Sequence, residues 1–268
     1  MLLADNRTLR ILSTAENEGY GVLAQACYDS QMAISLVRAA EQAQSPAIIL
    51  LFPVTLQYGK GPFLRLCLDL AHQASVPIAV HLDHATDPEH LELALSLAEQ
   101  GIIFDSIMVD ASHAENDEEN ISIAKPYVDR AHKLGIAVEV EMGRLEGGEA
   151  GLRMISDAKL TDPAKAKAFM EGKDLYKEFR GKVPICLHGT DTLPDTLFAE
   201  CIKNGVSKVI VTLPILININ SWGRDPYARV LGEALLSKSF PEAVDIASDV
   251  LVKECLRFFD VFGSKGKA

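Results

Sequence analysis

Short apolar runs recur along the chain, separated by stretches whose apolar positions repeat every three to four residues. That alternation is produced by parallel strands joined through helical crossovers. The runs are GVLAQAC (21–27), PAIILLF (46–52), VPIAVHLD (76–83), DSIMVDA (105–111), IAVEVEM (136–142), VPICLH (183–188) and VSKVIV (206–211). Several are apolar at successive positions, as strands covered on both faces require. They read as seven strands.

The segment after residue 85 carries a complete set of helix signals. Thr86 or Asp87 can cap it, Pro88 suits its first turn, Leu91, Ala94, Leu95 and Ala98 share a face, and Gly101 ends it. Gly135 and Gly205 close other helices in the same way before the next run. No repeat, low-complexity tract or long Pro/Gly/Ser linker interrupts the rhythm, so residues 1–268 are read as one domain. The expected architecture is a (β/α)8 barrel with seven recognisable strands, and a doubly wound open sheet is the second choice.

Composition narrows the class of protein. A hydrophobic content of 48% supports a large core, and a formal charge of −11 argues against a nucleic-acid or anionic-membrane surface. Cys27, Cys67, Cys186, Cys201 and Cys255 are odd in number and scattered, which suits reduced thiols in the cytoplasm. The start MLLADNRTLR lacks a signal-peptide core, and nowhere do about 18 apolar residues run together as a membrane span needs. A soluble cytoplasmic protein is expected.

Polar residues collect at the carboxyl ends of the predicted strands: Asp83 and His84 after the third, Asp110 and His113 after the fourth, Glu139 and Glu141 on the fifth, His188 on the sixth. Barrel enzymes carry out their chemistry on that face. Each residue alone reads as readily as a helix cap or a satisfied core group. Together they call for a cation, because several buried carboxylates are expensive without one. Imidazoles and carboxylates without paired thiolates suit zinc or a similar divalent ion. Strand alternation puts His81 and Asp83 on one face and turns His84 away from both, which leaves one of the two histidines structural. His72, His90 and His132 fall in predicted helices and read as surface residues, and Lys208 reads as structural.

The segments HLDHATD, SIMVDASHAENDEENI, VEVEMGRLEGGEAG and VPICLHG resemble, in order and spacing, the class II zinc-dependent fructose-bisphosphate and ketose-bisphosphate aldolases. The resemblance extends from GYGVLAQACYDSQMA to NINSW. It implies that Asp83 exchanges a proton with the substrate hydroxyl at the bond being broken and that His84 and His188 bind Zn2+. Glu141 is implied as a carboxylate that takes the metal in an alternative position. Glu149, in a loop made mobile by Gly147, Gly148 and Gly151, is implied as the proton shuttle at the ketone fragment. Gly189, Asp191, Asn218, Asn220 and Ser221 match substrate-binding positions, the last three for dihydroxyacetone phosphate. The implied reaction is cleavage of fructose 1,6-bisphosphate, or a related phosphorylated sugar, to dihydroxyacetone phosphate and glyceraldehyde 3-phosphate by a homodimer.

Three departures from the family pattern stand beside it. Between the LTDP helix and the LHG strand the family carries another strand ending in GNxHG, whose histidine is the remaining zinc ligand. Here LTDPAKAKAFMEGKDLYKEFRGKVPICLHG passes from one helical pattern into the next. Thr212 to Ile217 in VIVTLPILININSW reads as an insertion, and either it or a helix over 172–182 is expected to fill the missing strand's place. HGTDTLP replaces a glycine- and serine-rich phosphate loop, with Asp191 either opposing an anion or capping the helix that begins near Pro194. The alternative function is therefore a catalytically impaired aldolase-like scaffold, or a splice variant lacking a complete metal site. A metal-dependent hydrolase with Asp83 as base is a third reading.

Overall fold

The computed structural model describes residues 3–141, 181–190, 193–211 and 226–268. The seven apolar runs form seven strands: β1 Val22–Ala26, β2 Ala47–Leu51, β3 Ile78–Ala85, β4 Ser106–Val109, β5 Ala137–Val140, β6 Ile185–Leu187 and β7 Val206–Val211. All neighbours pair in parallel, in the order β5-β4-β3-β2-β1-β7-β6. The first strand lies beside the last and the order has no switch point at which the winding reverses, so the doubly wound alternative is set aside.

The sheet curls, since Glu139 of the terminal strand β5 reaches Lys208 of β7 and His188 beyond the other terminal strand, β6. Among the described residues β5 and β6 are the sheet's two ends, and an eighth strand between them is not seen. The sequence segments expected to fill that place, 172–182 and 212–217, lie largely or wholly outside the described residues.

Period-two alternation sorts the side chains into two cores. Toward the outer helices point Leu23, Ile49, Leu51, Ile78, Val80, Leu82, Ile107 and Val209. Val22, Ala24, Ala26, Ile48, Leu50, Ala79 and Ile210 line the interior of the curl. The interior is floored by helix α1 Arg7–Glu18, which places Ile11, Leu12 and Ala15 in the same cluster. Asn6 caps α1 by accepting from the Leu9 amide, and its Nδ2 donates to the carbonyls of Asp105 and Gly135 at 2.7 and 2.9 Å. One buried side chain thus starts the helix and ties it to the loops that enter β4 and β5.

The other α-helices among the described residues are α2 Ser30–Ala43, α3 Pro53–Gln73, α4 Pro88–Glu99, α5 Asp117–Lys133, α6 Asp195–Lys203, α7 Pro226–Leu235 and α8 Phe240–Val261. Helix α4 follows its sequence signals: Asp87 caps it, accepting from the Glu89 amide, and Leu91, Ala94, Leu95 and Ala98 are buried. Gly101 takes a φ of 86° just beyond its end, a conformation glycine adopts without steric penalty. Helix α6 has Pro194 at its cap position, and Asp191, the expected cap, lies outside the described residues.

Candidate metal centre

Three interior-facing positions of β3, namely Ala79, His81 and Asp83, change the curl's lining from apolar to polar as the strand approaches its carboxyl end. His81 is fixed from below: its Nδ1 lies 2.8 Å from Ser106 Oγ, which lies 2.9 Å from Thr8 Oγ1 on α1. Its Nε2 faces Asp83 Oδ1 and Glu139 Oε2, each at 3.7 Å. Asp83 is fully buried, and among the described residues neither carboxylate oxygen has a hydrogen-bond partner. A carboxylate in that state requires positive charge nearby.

His84 corrects the alternation argument. Strict pleating would turn it away from Asp83, but its φ is 43° and the β3–β4 register shifts between Leu82 and Ala85. This bulge re-aims the side chain, and His84 joins Asp83 and His188 with ligand atoms all within 4.8 Å of one another. Both histidines of the motif therefore take part, His81 as a buried neighbour held by Ser106 and His84 at the site itself.

The two facing imidazoles are each committed on their other side. His84 Nδ1 lies 2.8 Å from Asp110 Oδ2, and His188 Nε2 lies 2.9 Å from Glu139 Oε1. A carboxylate can only accept, so the neutral rings carry their protons on those nitrogens and turn lone pairs toward each other. The facing nitrogens, His84 Nε2 and His188 Nδ1, are 3.1 Å apart. Two lone pairs at that distance call for a shared cation, either a proton or a metal. Tetrahedral zinc, with Zn–N of about 2.0–2.1 Å, spaces two ligand nitrogens by about 3.3 Å. The donors present therefore fit a divalent ion, with Asp83 alongside.

Charge around this pair is arranged to keep the acids ionised. Burial pushes Asp83 upward, but His84, His81, His188 and Lys208 outweigh it and hold the carboxyl below its ordinary range. Burial likewise opposes ionisation of Asp110, yet its bonds with His84 and Ser112 bring it to about 2. Glu139 is held well below the carboxylate range, against its own burial, chiefly by Lys208 and His188. Lys208 is itself buried and bonds Glu139 Oε2 at 2.6 Å; the anions around it overcome desolvation and raise its pKa. Burial and the Lys208 charge push His81 below the ordinary imidazole value.

Of the residues expected at the site, Asp83, His84 and His188 are brought together, and Glu141 Oε2 stands 3.8 Å from His84 Nδ1 in a group with Asp110. Gly189 follows His188 in a buried position with a φ of 64°. Glu149, Asp191, Asn218, Asn220 and Ser221 lie outside the described residues. His113 is exposed and takes no part, as is His132, while His72 binds Asp105 on the surface. Glu139, collected from sequence among the strand-end polar residues but given no role, stands at the site, and so does Lys208, which the sequence presents as structural. The available signal was a lysine inside the apolar run VSKVIV, since a buried ammonium requires an anion opposite it.

Fold and site together define a curled parallel α/β sheet, flanked by helices, with a group of residues able to ligate a metal at the carboxyl ends of its strands. Residues 6–176 match the family model described as fructose-bisphosphate aldolase class-II. A fructose-bisphosphate aldolase candidate of Coccidioides immitis is 32% identical over 301 residues, spanning 99% of this chain and 96% of the relative. That alignment is longer than the 268-residue chain, so the relative holds residues with no counterpart here. The fructose-bisphosphate aldolase of Thermus caldophilus is 35% identical over 218 residues, 70% of each protein. A C. immitis crystal structure superposes with a TM-score of 0.82 at 30% identity over 98% of both chains. The YdjI aldolase of Escherichia coli K12 gives 0.73 at 25% identity over the full length of both. The chain belongs to the class II fructose-bisphosphate aldolase family.

Proposed function

We propose that this chain carries out reversible aldol cleavage of a ketose bisphosphate, fructose 1,6-bisphosphate or a close relative, with zinc bound between His84 and His188. The observation that carries the reading is the pair of facing imidazoles, each backed by a carboxylate, next to the buried Asp83, whose oxygens accept no hydrogen bond among the described residues. A divalent ion held there by His84 and His188 would supply Lewis-acid polarisation of the sugar ketone.

Each residue then has a defined task. Asp83 is held ionised, so in the cleavage direction it accepts the proton of the substrate hydroxyl whose carbon leaves as the aldehyde. Asp110 fixes the tautomer and the ring angle of His84, and Glu139 does the same for His188. Lys208 neutralises Glu139 without competing for the ring. Glu149 is proposed to return a proton to the ketone fragment, and Asn218, Asn220 and Ser221 to hold its phosphate end, on the strength of the sequence resemblance. A homodimeric, cytoplasmic protein is proposed on the same ground. Among the described residues no helix is long and apolar enough to cross a membrane, and none of the five cysteines is in a disulfide.

The scaffold reading keeps one specific support, the lack of a counterpart to the family's GNxHG histidine. Incubation of the zinc-loaded protein with fructose 1,6-bisphosphate separates the two. Release of triose phosphates that stops on chelation and returns with zinc supports the aldolase, whereas no release at saturating zinc supports the scaffold.

A further inference from the structure

The five cysteines divide between the two cores. Cys27, Cys67, Cys201 and Cys255 pack in the outer layer between sheet and helices, and Cys186 packs against the interior lining. Cys186 and His188 are two residues apart at the end of β6, so both face the interior. There the thiol meets Glu139 and His188, with one ligand atom from each residue within 4.8 Å of the others. Beside this group His81 Nε2 and both Asp83 oxygens are buried without hydrogen-bond partners among the described residues. A cysteine that merely filled space would sit among apolar neighbours. This one sits among a carboxylate, an imidazole and an ammonium.

We infer that Cys186, Glu139 and His188 form a second position for a divalent cation, on the flank of His188 that faces Glu139, with Cys186 bound as thiolate. The inference rests on the proposed metal reading, because His188 serves both positions. His188 offers Nδ1 toward His84 and Nε2 toward Glu139. Each neutral tautomer frees one of these nitrogens, so a single ion occupies one position or the other. When the sulfur–metal bond forms, the thiol proton passes to solvent, and the ring proton of His188 moves to Nδ1, where it can be donated to His84 Nε2. Glu139 can bind through Oε1 while Oε2 keeps Lys208. A thiolate, an imidazole and a carboxylate suit zinc, cobalt or cadmium over magnesium or calcium.

Titration of the chelated full-length protein with cobalt(II) tests this, because a thiolate bond to cobalt gives a near-ultraviolet charge-transfer absorption that nitrogen and oxygen ligands do not. The wild type is expected to show this absorption. Cys186→Val, verified as folded by circular dichroism, should lose it while still binding cobalt through His84 and His188, and Cys186→Ser should behave alike. His84→Ala should keep it. Cobalt bound to the wild type without the sulfur band, or a band that survives in Cys186→Val, overturns the inference and leaves the aldolase reading intact. The sulfur band in a protein that releases no triose phosphate upholds the inference while the aldolase reading fails. No cobalt uptake at all overturns both.

Discussion

His84 and His188 approach each other nitrogen to nitrogen at 3.1 Å, and Asp110 holds the far side of His84 at 2.8 Å. Asp110 thus sets which nitrogen of His84 carries a lone pair. Asp110→Asn, which can present a donor or acceptor to the ring, is expected to weaken zinc binding by about 10–100-fold, the usual effect of losing such a partner. Competition with a chromophoric chelator measures it.

Asp83, fully buried, is the proposed base. Asp83→Asn keeps the shape and removes the proton acceptor, so kcat should fall by about 10²–10⁴-fold while zinc affinity changes far less. Steady-state kinetics beside metal titration distinguish this from a variant that has simply lost its ion.

Lys208, buried, pairs with the part-buried Glu139 at 2.6 Å. Lys208→Met leaves Glu139 without its compensating charge and is expected to cost about 3–5 kcal/mol of stability. The double variant Lys208→Met/Glu139→Gln should recover much of that loss. Urea unfolding of the metal-free proteins gives both values.

Acid should destabilise the metal-free protein in a defined order. His81 has a native pKa below the ordinary 6.5, so the unfolded chain binds the extra proton and stability starts to fall as pH drops through that value. Asp83, Glu139 and Asp110 are also depressed, and their contributions are lost at lower pH, with that of Asp110 persisting until about 2. Lys208 runs the other way: its pKa is raised, so its contribution is complete below the ordinary 10.5 and is lost as pH climbs above it. Thermal melts across pH check the order, and Ser106→Ala, which removes the hydroxyl bonded to His81, should alter its acid limb.

The sheet was legible because every strand is a short apolar run bounded by turn or cap residues. The carboxyl-end position of Asp83, His84 and His188 followed from that alone. Two things were not legible. A local backbone event, the positive φ of His84, overrides the period-two rule and puts consecutive residues Asp83 and His84 into one group. Period-two reasoning has no means of anticipating such a bulge. The pairing of Glu139 with Lys208 joins β5 to β7 around the curl, a contact 69 residues apart that depends on how the sheet closes rather than on either segment's own pattern.

Metal stoichiometry reports directly whether His84 and His188 hold an ion. Purified protein is saturated with zinc, freed of excess ion by gel filtration and analysed for metal by elemental mass spectrometry, next to His188→Ala prepared in the same way. One ion per wild-type chain is expected, and none in His188→Ala, because that ring serves both the position shared with His84 and the one shared with Cys186. Wild-type protein that retains no zinc, or a variant that retains as much as the wild type, contradicts it.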